Sequence, residues 1–229
     1  MSFNIAIDGP AGAGKSSIAR RVAEQLGFIY VDTGAMYRTI ALGLMRRGTD
    51  CADDAQLEQA LAEISVEIAY RDGEQQMLLN GENVTGQIRT EEVSKMASIS
   101  SARPQVRAKL LWMQRTIAQE HDVLMDGRDI GTQILPDAQL KIFLTASIEE
   151  RARRRYLEQT QKGIKCTLGE ISEEIRDRDY RDTHRETSPL VQAEDAVLVD
   201  TSDMSIDQVV EYIIRLTEEK RAEGADAWK

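Results

Sequence analysis

Apolar positions along the chain fall into short continuous runs, separated by stretches with helical spacing. Phe3-Asn4-Ile5-Ala6-Ile7 reads as a buried strand, and the amphipathic stretch 15–26 as the helix after it, ended near Gly27. Phe28-Ile29-Tyr30-Val31 is a second strand, and helical periodicity over 35–47 stops at Gly48. Strand, helix, strand, helix predicts a parallel sheet with helices on its faces, because parallel neighbours need a crossover. Val123-Leu124-Met125, residues 140–144 and Val197-Leu198-Val199 supply three further core strands. A helix from Pro104 to about Glu120 uses proline in the first turn, and another runs from about Ser147 to before Gly163. Thr167-Leu168-Gly169-Glu170 has capping-box spacing and opens a helix through about Asp182. Ser205-Ile206-Asp207-Gln208 repeats that spacing for the last helix, after which 224–229 read as a frayed tail.

Between 64 and 100 the period changes. Ser65-Val66-Glu67-Ile68-Ala69-Tyr70 alternates like a half-exposed strand, Arg71-Asp72-Gly73-Glu74 is a turn, and 76–80 is a second strand before Gly81. Val84 and Ile88 are placed in a short third strand. Antiparallel pieces that interrupt a βα alternation predict a small insertion at 64–100, within a core built from 1–63 and 101–229.

Composition narrows the partners. The 229 residues suffice for one α/β domain with an insertion, and a formal net charge of −10 argues against non-specific nucleic-acid binding. Arginines nonetheless cluster at 151–155 and 176–185, which suits small anionic ligands better than a polyanion. Cys51 and Cys166 lie far apart and outside any metal-like spacing, so both are expected as reduced thiols in a cytoplasmic protein. No apolar run has the length of a membrane span, and the first residues enter a strand without a signal-like segment. Neither a heptad pattern nor an apolar patch points to a partner, leaving a monomer as the expectation.

Gly9-Pro10-Ala11-Gly12-Ala13-Gly14-Lys15-Ser16 matches G-x-x-x-x-G-K-[ST] between the first strand and its helix. There the glycines let successive N–H groups converge on phosphate oxygens, and the helix N-terminus adds partial positive charge. Lys15 reaches the β/γ-phosphates of a nucleotide and Ser16 sits at a Mg²⁺ ion. Asp32-Thr33-Gly34-Ala35-Met36-Tyr37-Arg38 and Asp126-Gly127-Arg128-Asp129-Ile130-Gly131-Thr132 each follow a strand's carboxyl end, where ligands collect in open α/β sheets. Thr33 with its neighbouring amides can bind an anion and Arg38 can pair with it; the plainer alternative is a helix cap beside a solvated arginine. Arg128 and Asp129 project a cation and a carboxylate together, or form a local surface salt bridge. The run 176–185 aligns Arg178 with Asp182 and Arg181 with Arg185 if helical, and Glu149 and Glu150 stand one turn from Arg153 and Arg154; each run also reads as a solvated, salt-bridged helix face. His121 and His184 are not placed for nucleophile–base chemistry or for metal binding. Phosphoryl transfer needs alignment and charge neutralisation instead, by lysine, arginine and Mg²⁺.

Together, IDGPAGAGKSS, VDTGAMYR, IRTEEV, DGRDIGT, PDAQLKIFLTAS and RDYRDTHR resemble the bacterial cytidylate kinases, the (d)CMP kinases among the nucleoside monophosphate kinases, over nearly the whole chain. The resemblance implies a five-stranded parallel sheet of the P-loop kinase type, a monophosphate-binding insertion at 64–100 and a lid at about 151–166. It implies ATP with Mg²⁺ as donor, on Gly9, Gly12, Ala13, Gly14, Lys15, Ser16 and Ser17, with either serine serving the metal. Arg151, Arg154 and Arg155 are the lid candidates for closing over the phosphates, and Arg154 is the one carried forward. Ser98, Arg107 and Asp129 correspond to the groups that read cytosine; Thr33, Arg38, Arg128 and Arg185 to the acceptor-phosphate clamp; Arg178 and Asp182 to positions near the sugar. Lys15, Arg128 and Arg185 would carry the chemistry. Other readings of the residues are a P-loop kinase acting on UMP, AMP or shikimate, and a non-catalytic nucleotide-binding module.

Overall fold

A computed structural model describes residues 2–71 and 74–226. In chain order the elements begin with β1 (Asn4–Asp8), α1 (Lys15–Leu26), β2 (Ile29–Asp32), α2 (Thr33–Arg47) and α3 (Asp54–Glu63). Three antiparallel strands follow, β3 (Val66–Arg71), β4 (Glu74–Leu79) and β5 (Glu82–Asn83), then α4 (Glu91–Ser100) and α5 (Pro104–Glu120). The remainder is β6 (Val123–Gly127), a π-helical turn (Ile130–Ile134), β7 (Leu140–Thr145), α6 (Ile148–Gln161), α7 (Leu168–His184), β8 (Val197–Asp200) and α8 (Ile206–Asp226). The chain divides into two compact units, Met1–Tyr30 with Ala118–Lys229, and Val31–Ile117.

The first unit is built on a parallel sheet in the order β2-β6-β1-β7-β8. β1 lies at its centre, in register with β6 from Asn4↔Val123 to Asp8↔Gly127 and with β7 from Ile5↔Leu140 to Asp8↔Phe143. Ile5 and Ile7 pack with Ile18, Val22, Leu124, Ile142 and Leu144, and with Val209 and Ile213 of α8. Burial of that apolar face, stripe against sheet, is the main stabilising term. A smaller cluster of Ala152, Ile171 and Ile175 joins α6 to α7. Both expected capping boxes form: Thr167 with Glu170, and Ser205 with Gln208. The last helix extends to Asp226, so 224–226 fall within it rather than in the expected tail; 227–229 lie outside the described residues.

In the second unit α2 packs against α4 and β4, with Leu57, Leu61, Met77, Leu79, Val93 and Leu110 buried. Two helices not read from the sequence appear here. Asp53 caps α3 by accepting from Ala55 N and Gln56 N, and Thr90 caps α4 by accepting from Val93 N. The third short strand is at Glu82–Asn83 rather than at Val84 and Ile88, whose side chains are instead buried in the apolar core. The expected turn residues Asp72 and Gly73 lie outside the described residues.

Candidate active site

β1 delivers the phosphate loop from the middle of the sheet. Gly9 has φ +148°, and a Cβ there would lie 1.9 Å from the Leu144 carbonyl oxygen of β7. No other residue fits that approach. Gly14 stands at the N-cap of α1 with no side chain bonded to the first amides, which leaves them free for an anion. Gly12 is exposed, Ala13 is buried and Lys15 is 7% exposed, its ammonium donating to the Pro10 carbonyl at 2.8 Å. Burial pushes the Lys15 pKa well below its ordinary value, and Arg128 adds to this while Asp126 opposes it.

Ser16 Oγ donates to Asp126 Oδ2 at 2.8 Å, and the Tyr30 hydroxyl donates to Asp126 Oδ1 at 3.1 Å. Ser17 is exposed on α1, so of the two serines it is Ser16 that meets the carboxylate. A hydroxyl and a carboxylate beside a phosphate loop are the donor set that suits Mg²⁺ in P-loop enzymes. Among the described residues no group of three or more His, Cys, Asp or Glu could cage a cation. Mg²⁺ is ordinarily held by one or two carboxylates with water and substrate phosphates, and Ser16 with Asp126 fits that pattern.

The loop after β6 and the end of α7 come together in the same unit. Arg128 Nε donates to Asp182 Oδ2 at 2.8 Å, and Arg178 Nε lies 3.9 Å from the same oxygen. Burial raises the Asp182 pKa, but Arg128 and Arg178 outweigh it and hold the carboxyl below the usual carboxylate range. Asp129, 3% exposed, has Oδ1 3.7 Å from a terminal nitrogen of Arg185, whose Nε donates to the Ser188 carbonyl at 2.7 Å. Arg128, Asp182 and Arg178 thus form one part-buried ionic set and Asp129 with Arg185 a second, and Arg185 also acts electrostatically on Asp182. Asp8 accepts from the amides of Ile130 and Gly131, both at 2.8 Å. Its pKa is pushed up to about 6, chiefly by burial and against those two hydrogen bonds.

The lid arginines have different tasks. Arg151 is buried at the start of α6 and donates to the carbonyls of Ala146 (2.9 Å) and Ala11 (3.0 Å). Its guanidinium also lies 2.7 Å from Asp179 Oδ2 on α7. It braces the phosphate loop, so its expected candidacy for closing over phosphates is not supported: two buried carbonyls and the partly exposed Asp179 carboxylate use its donors. Arg154 donates to Glu150 at 2.8 Å and to Thr201 Oγ1 and O at 3.1 and 2.7 Å, with one nitrogen 3.9 Å from where a Cβ on Gly14 would lie. Arg155 pairs with Glu174 at 3.1 Å.

Within the second unit, Asp32 caps α2 by accepting from Ala35 N at 2.8 Å, and its other oxygen meets Arg38 at 3.2 Å and Arg89 at 3.1 Å. Gln75 brackets the same residue, accepting from Asp32 N at 2.8 Å. Thr33 is buried beside this cap. The structure therefore contains both the helix cap and two arginines on the same carboxylate, Arg38 largely buried and Arg89 exposed. Arg107 lies over the Tyr37 ring at 5.4 Å and donates to the Ser101 carbonyl at 3.3 Å. Ser98 Oγ on α4 is buried without a hydrogen-bond partner, as is Arg38 Nε. Polar atoms in that condition cost free energy unless a ligand satisfies them. Sequence reasoning missed Asp8, Asp126 and Arg89. Arg89 lies within the IRTEEV segment, which carried the only signal for it. No described helix is long and apolar enough to cross a membrane, and both Cys51 and Cys166 are free thiols.

The family model described as "Cytidylate kinase" matches residues 5–219. The cytidylate kinase of Ligilactobacillus salivarius (strain UCC118) is 49% identical over 218 residues, covering 95% of this chain and 97% of that protein. That of Shouchella clausii (strain KSM-K16) is 46% identical over 217 residues, covering 95% and 96%. Among solved structures, an uncharacterized protein from Eubacterium ventriosum ATCC 27560 shares the fold with a TM-score of 0.53 at 12% identity, covering 95% of this chain and 99% of that one. A P-loop on the central strand of a five-stranded parallel sheet, a separate antiparallel sheet of three strands and these full-length similarities agree: the chain belongs to the cytidylate kinase family of P-loop kinases.

Proposed function

We propose that this enzyme transfers the γ-phosphoryl group of ATP to CMP and dCMP, forming ADP with CDP or dCDP. The observation that carries this reading is the continuity of segment 126–131: Asp126 accepts from Ser16 of the phosphate loop, and two and three residues later Arg128 and Asp129 pair with Asp182 of α7 and with Arg185 at its end. One stretch of chain therefore serves donor-side and acceptor-side chemistry together.

ATP lies with its phosphates on the amides of Gly9, Gly12, Ala13, Gly14 and Lys15, with Ser17 and Arg154 alongside. Ser16, next to Asp126, is the residue that would hold Mg²⁺, which would supply charge neutralisation for the transferring group. Lys15, Arg128 and Arg185 stabilise the charge spread over the transferring group, and no general base is required. Thr33 and Arg38 bind the acceptor phosphate with Arg128 and Arg185, while Arg178 and Asp182 contact the sugar. Asp129 accepts from the exocyclic amine of cytosine, and Ser98 and Arg107 donate to its ring acceptors. Uracil turns that amine into an oxygen facing a carboxylate, an unpaired and repulsive arrangement. The insertion 64–100 holds the monophosphate, and movement of the lid 151–166 excludes water. The enzyme acts as a cytoplasmic monomer.

An ADP-coupled assay across CMP, dCMP, UMP, AMP and shikimate tests the proposal. Highest kcat/KM with CMP or dCMP is expected. Higher efficiency with UMP overturns the base reading, and ATP binding without CMP-dependent ADP formation overturns the enzymatic one.

A further inference from the structure

Asp8 is the last residue of the central strand and immediately precedes Gly9 of the phosphate loop. It is 5% exposed and takes no part in the roles assigned above. Both of its carboxylate oxygens are committed: Oδ1 accepts from Ile130 N and Oδ2 from Gly131 N, each at 2.8 Å. Those amides open the π-helical turn Ile130–Ile134, and the first amides of a helical turn have no partner within it. A cap normally comes from the residue just before the turn. Here the residue in that position, Asp129, makes no side-chain cap bond, and the carboxylate arrives from a different strand.

We infer that Asp8 is a positioning residue for base selectivity: by gripping the Ile130 and Gly131 amides it fixes the peptide that carries Asp129, the carboxylate that reads the exocyclic amine. The inference rests on the proposed role of Asp129. Three further features support it. The carbonyl of Asp129 is bonded to the nitrogen of Ile130, so the hydrogen bond to Asp8 sets the plane of the peptide leaving Asp129. Asp129 has φ −146° and ψ 29°, away from the helical basin, so its direction is not dictated by the turn itself. Gly131 allows the approach: a Cβ there would lie 3.2 Å from Lys141 Cδ and 3.4 Å from Asp8 Oδ2. On its other side Asp129 faces Arg185, 3.7 Å away, so the backbone anchor and the side-chain partner lie on different elements. The strand that delivers the phosphate loop thereby also orients the acceptor-reading loop, and small displacements of such a group cost much of its effect.

A purely structural cap and a positioning anchor differ in what they move. In Asp8→Asn one oxygen is replaced by an NH₂ that cannot accept from an amide. The ratio of kcat/KM for CMP over UMP is expected to fall by about tenfold, with KM for ATP unchanged. Asp129→Asn, measured alongside, should lower the same ratio further, because an amide can both donate and accept. If Asp129→Asn shifts the ratio and soluble, folded Asp8→Asn does not, the inference is overturned while the reading of Asp129 stands. If Asp129→Asn leaves the ratio unchanged, the reading of Asp129 itself falls, and the inference with it. Should Asp8→Asn fail to fold, Asp8→Glu takes its place, since it keeps a carboxylate and shifts it by one methylene from the two amides: a lowered CMP-to-UMP ratio supports the inference and an unchanged one overturns it.

Discussion

Arg151 lies 2.7 Å from Asp179 Oδ2 and donates to the Ala11 carbonyl at 3.0 Å, so one buried guanidinium ties α7 to the phosphate loop. Removing one partner of such a pair leaves the other charge uncompensated in a poorly solvated place. Arg151→Ala should therefore lower the unfolding free energy by about 3 kcal/mol, read from urea denaturation. Asp179, more exposed than its partner, should cost less when replaced by Asn. A double-mutant cycle with no coupling between the two sites would show that the pair contributes nothing of its own.

The proposed metal role of Ser16 and Asp126, which share a hydrogen bond of 2.8 Å, is open to direct test. Ser16→Ala and Asp126→Asn should each lower kcat by about ten- to a hundredfold and raise the Mg²⁺ concentration needed for half-maximal rate. Tyr30→Phe, which removes one donor to Asp126 at 3.1 Å, should show a smaller change in the same direction. Titration of rate against Mg²⁺ at saturating ATP reads all three, and wild-type metal dependence in Asp126→Asn would remove Asp126 from the metal site.

Gly9→Ala tests a steric claim. The added Cβ would fall 1.9 Å from the Leu144 carbonyl oxygen, and φ +148° is itself strained for alanine. Strand β1 cannot retreat without disturbing β7, so the variant should be lost to the insoluble fraction or melt well below the wild type. A soluble variant with wild-type melting would refute the close approach.

Asp8 gives the fold a specific pH dependence. Its pKa is raised from 3.8 to about 6, chiefly by burial. A carboxyl that binds its proton more tightly in the folded chain contributes stability that is complete below the unfolded pKa, near 3.8, and is lost as pH rises through about 6. The amount is on the order of 3 kcal/mol. Asp8→Asn lacks this titration, so wild type should gain stability relative to it when both are moved from about pH 8 to about pH 5. Urea midpoints at the two pH values give the comparison, and a difference that stays constant rejects the assigned pKa.

The five core strands and the phosphate loop could be read from the sequence because their signals are local: continuous apolar runs, and a glycine–lysine spacing that acts within a few residues. Helices α3 and α4 escaped because each has ten residues and only a short apolar stripe, and the caps Asp53 and Thr90 were not weighed. β5 is a two-residue strand of exposed Glu82 and Asn83, with no strand-like composition to detect. In the site, Arg128 and Asp129 stood out through their flanking glycines. Asp126 and Asp8 did not, because their partners come from Ser16 and Tyr30 in one case and from the amides of Ile130 and Gly131 in the other. Those contacts depend on the parallel register of β1 with β6, a property of the assembled sheet. Arg151 shows the converse: its place in the lid made it a candidate for closing over the phosphates, and only the assembled contacts with the loop and α7 show it buried.

The central place of β1 has a consequence for how the enzyme loses activity. Its amides are paired on both sides, with β6 and with β7, so hydrogen exchange along residues 5–8 should require opening of the whole sheet. The phosphate loop and Asp8 both issue from this slowest-exchanging strand. Gentle heating can then loosen peripheral segments without disarming the nucleotide cradle. Loss of the nucleotide cradle and opening of the central sheet then become a single event on the thermometer.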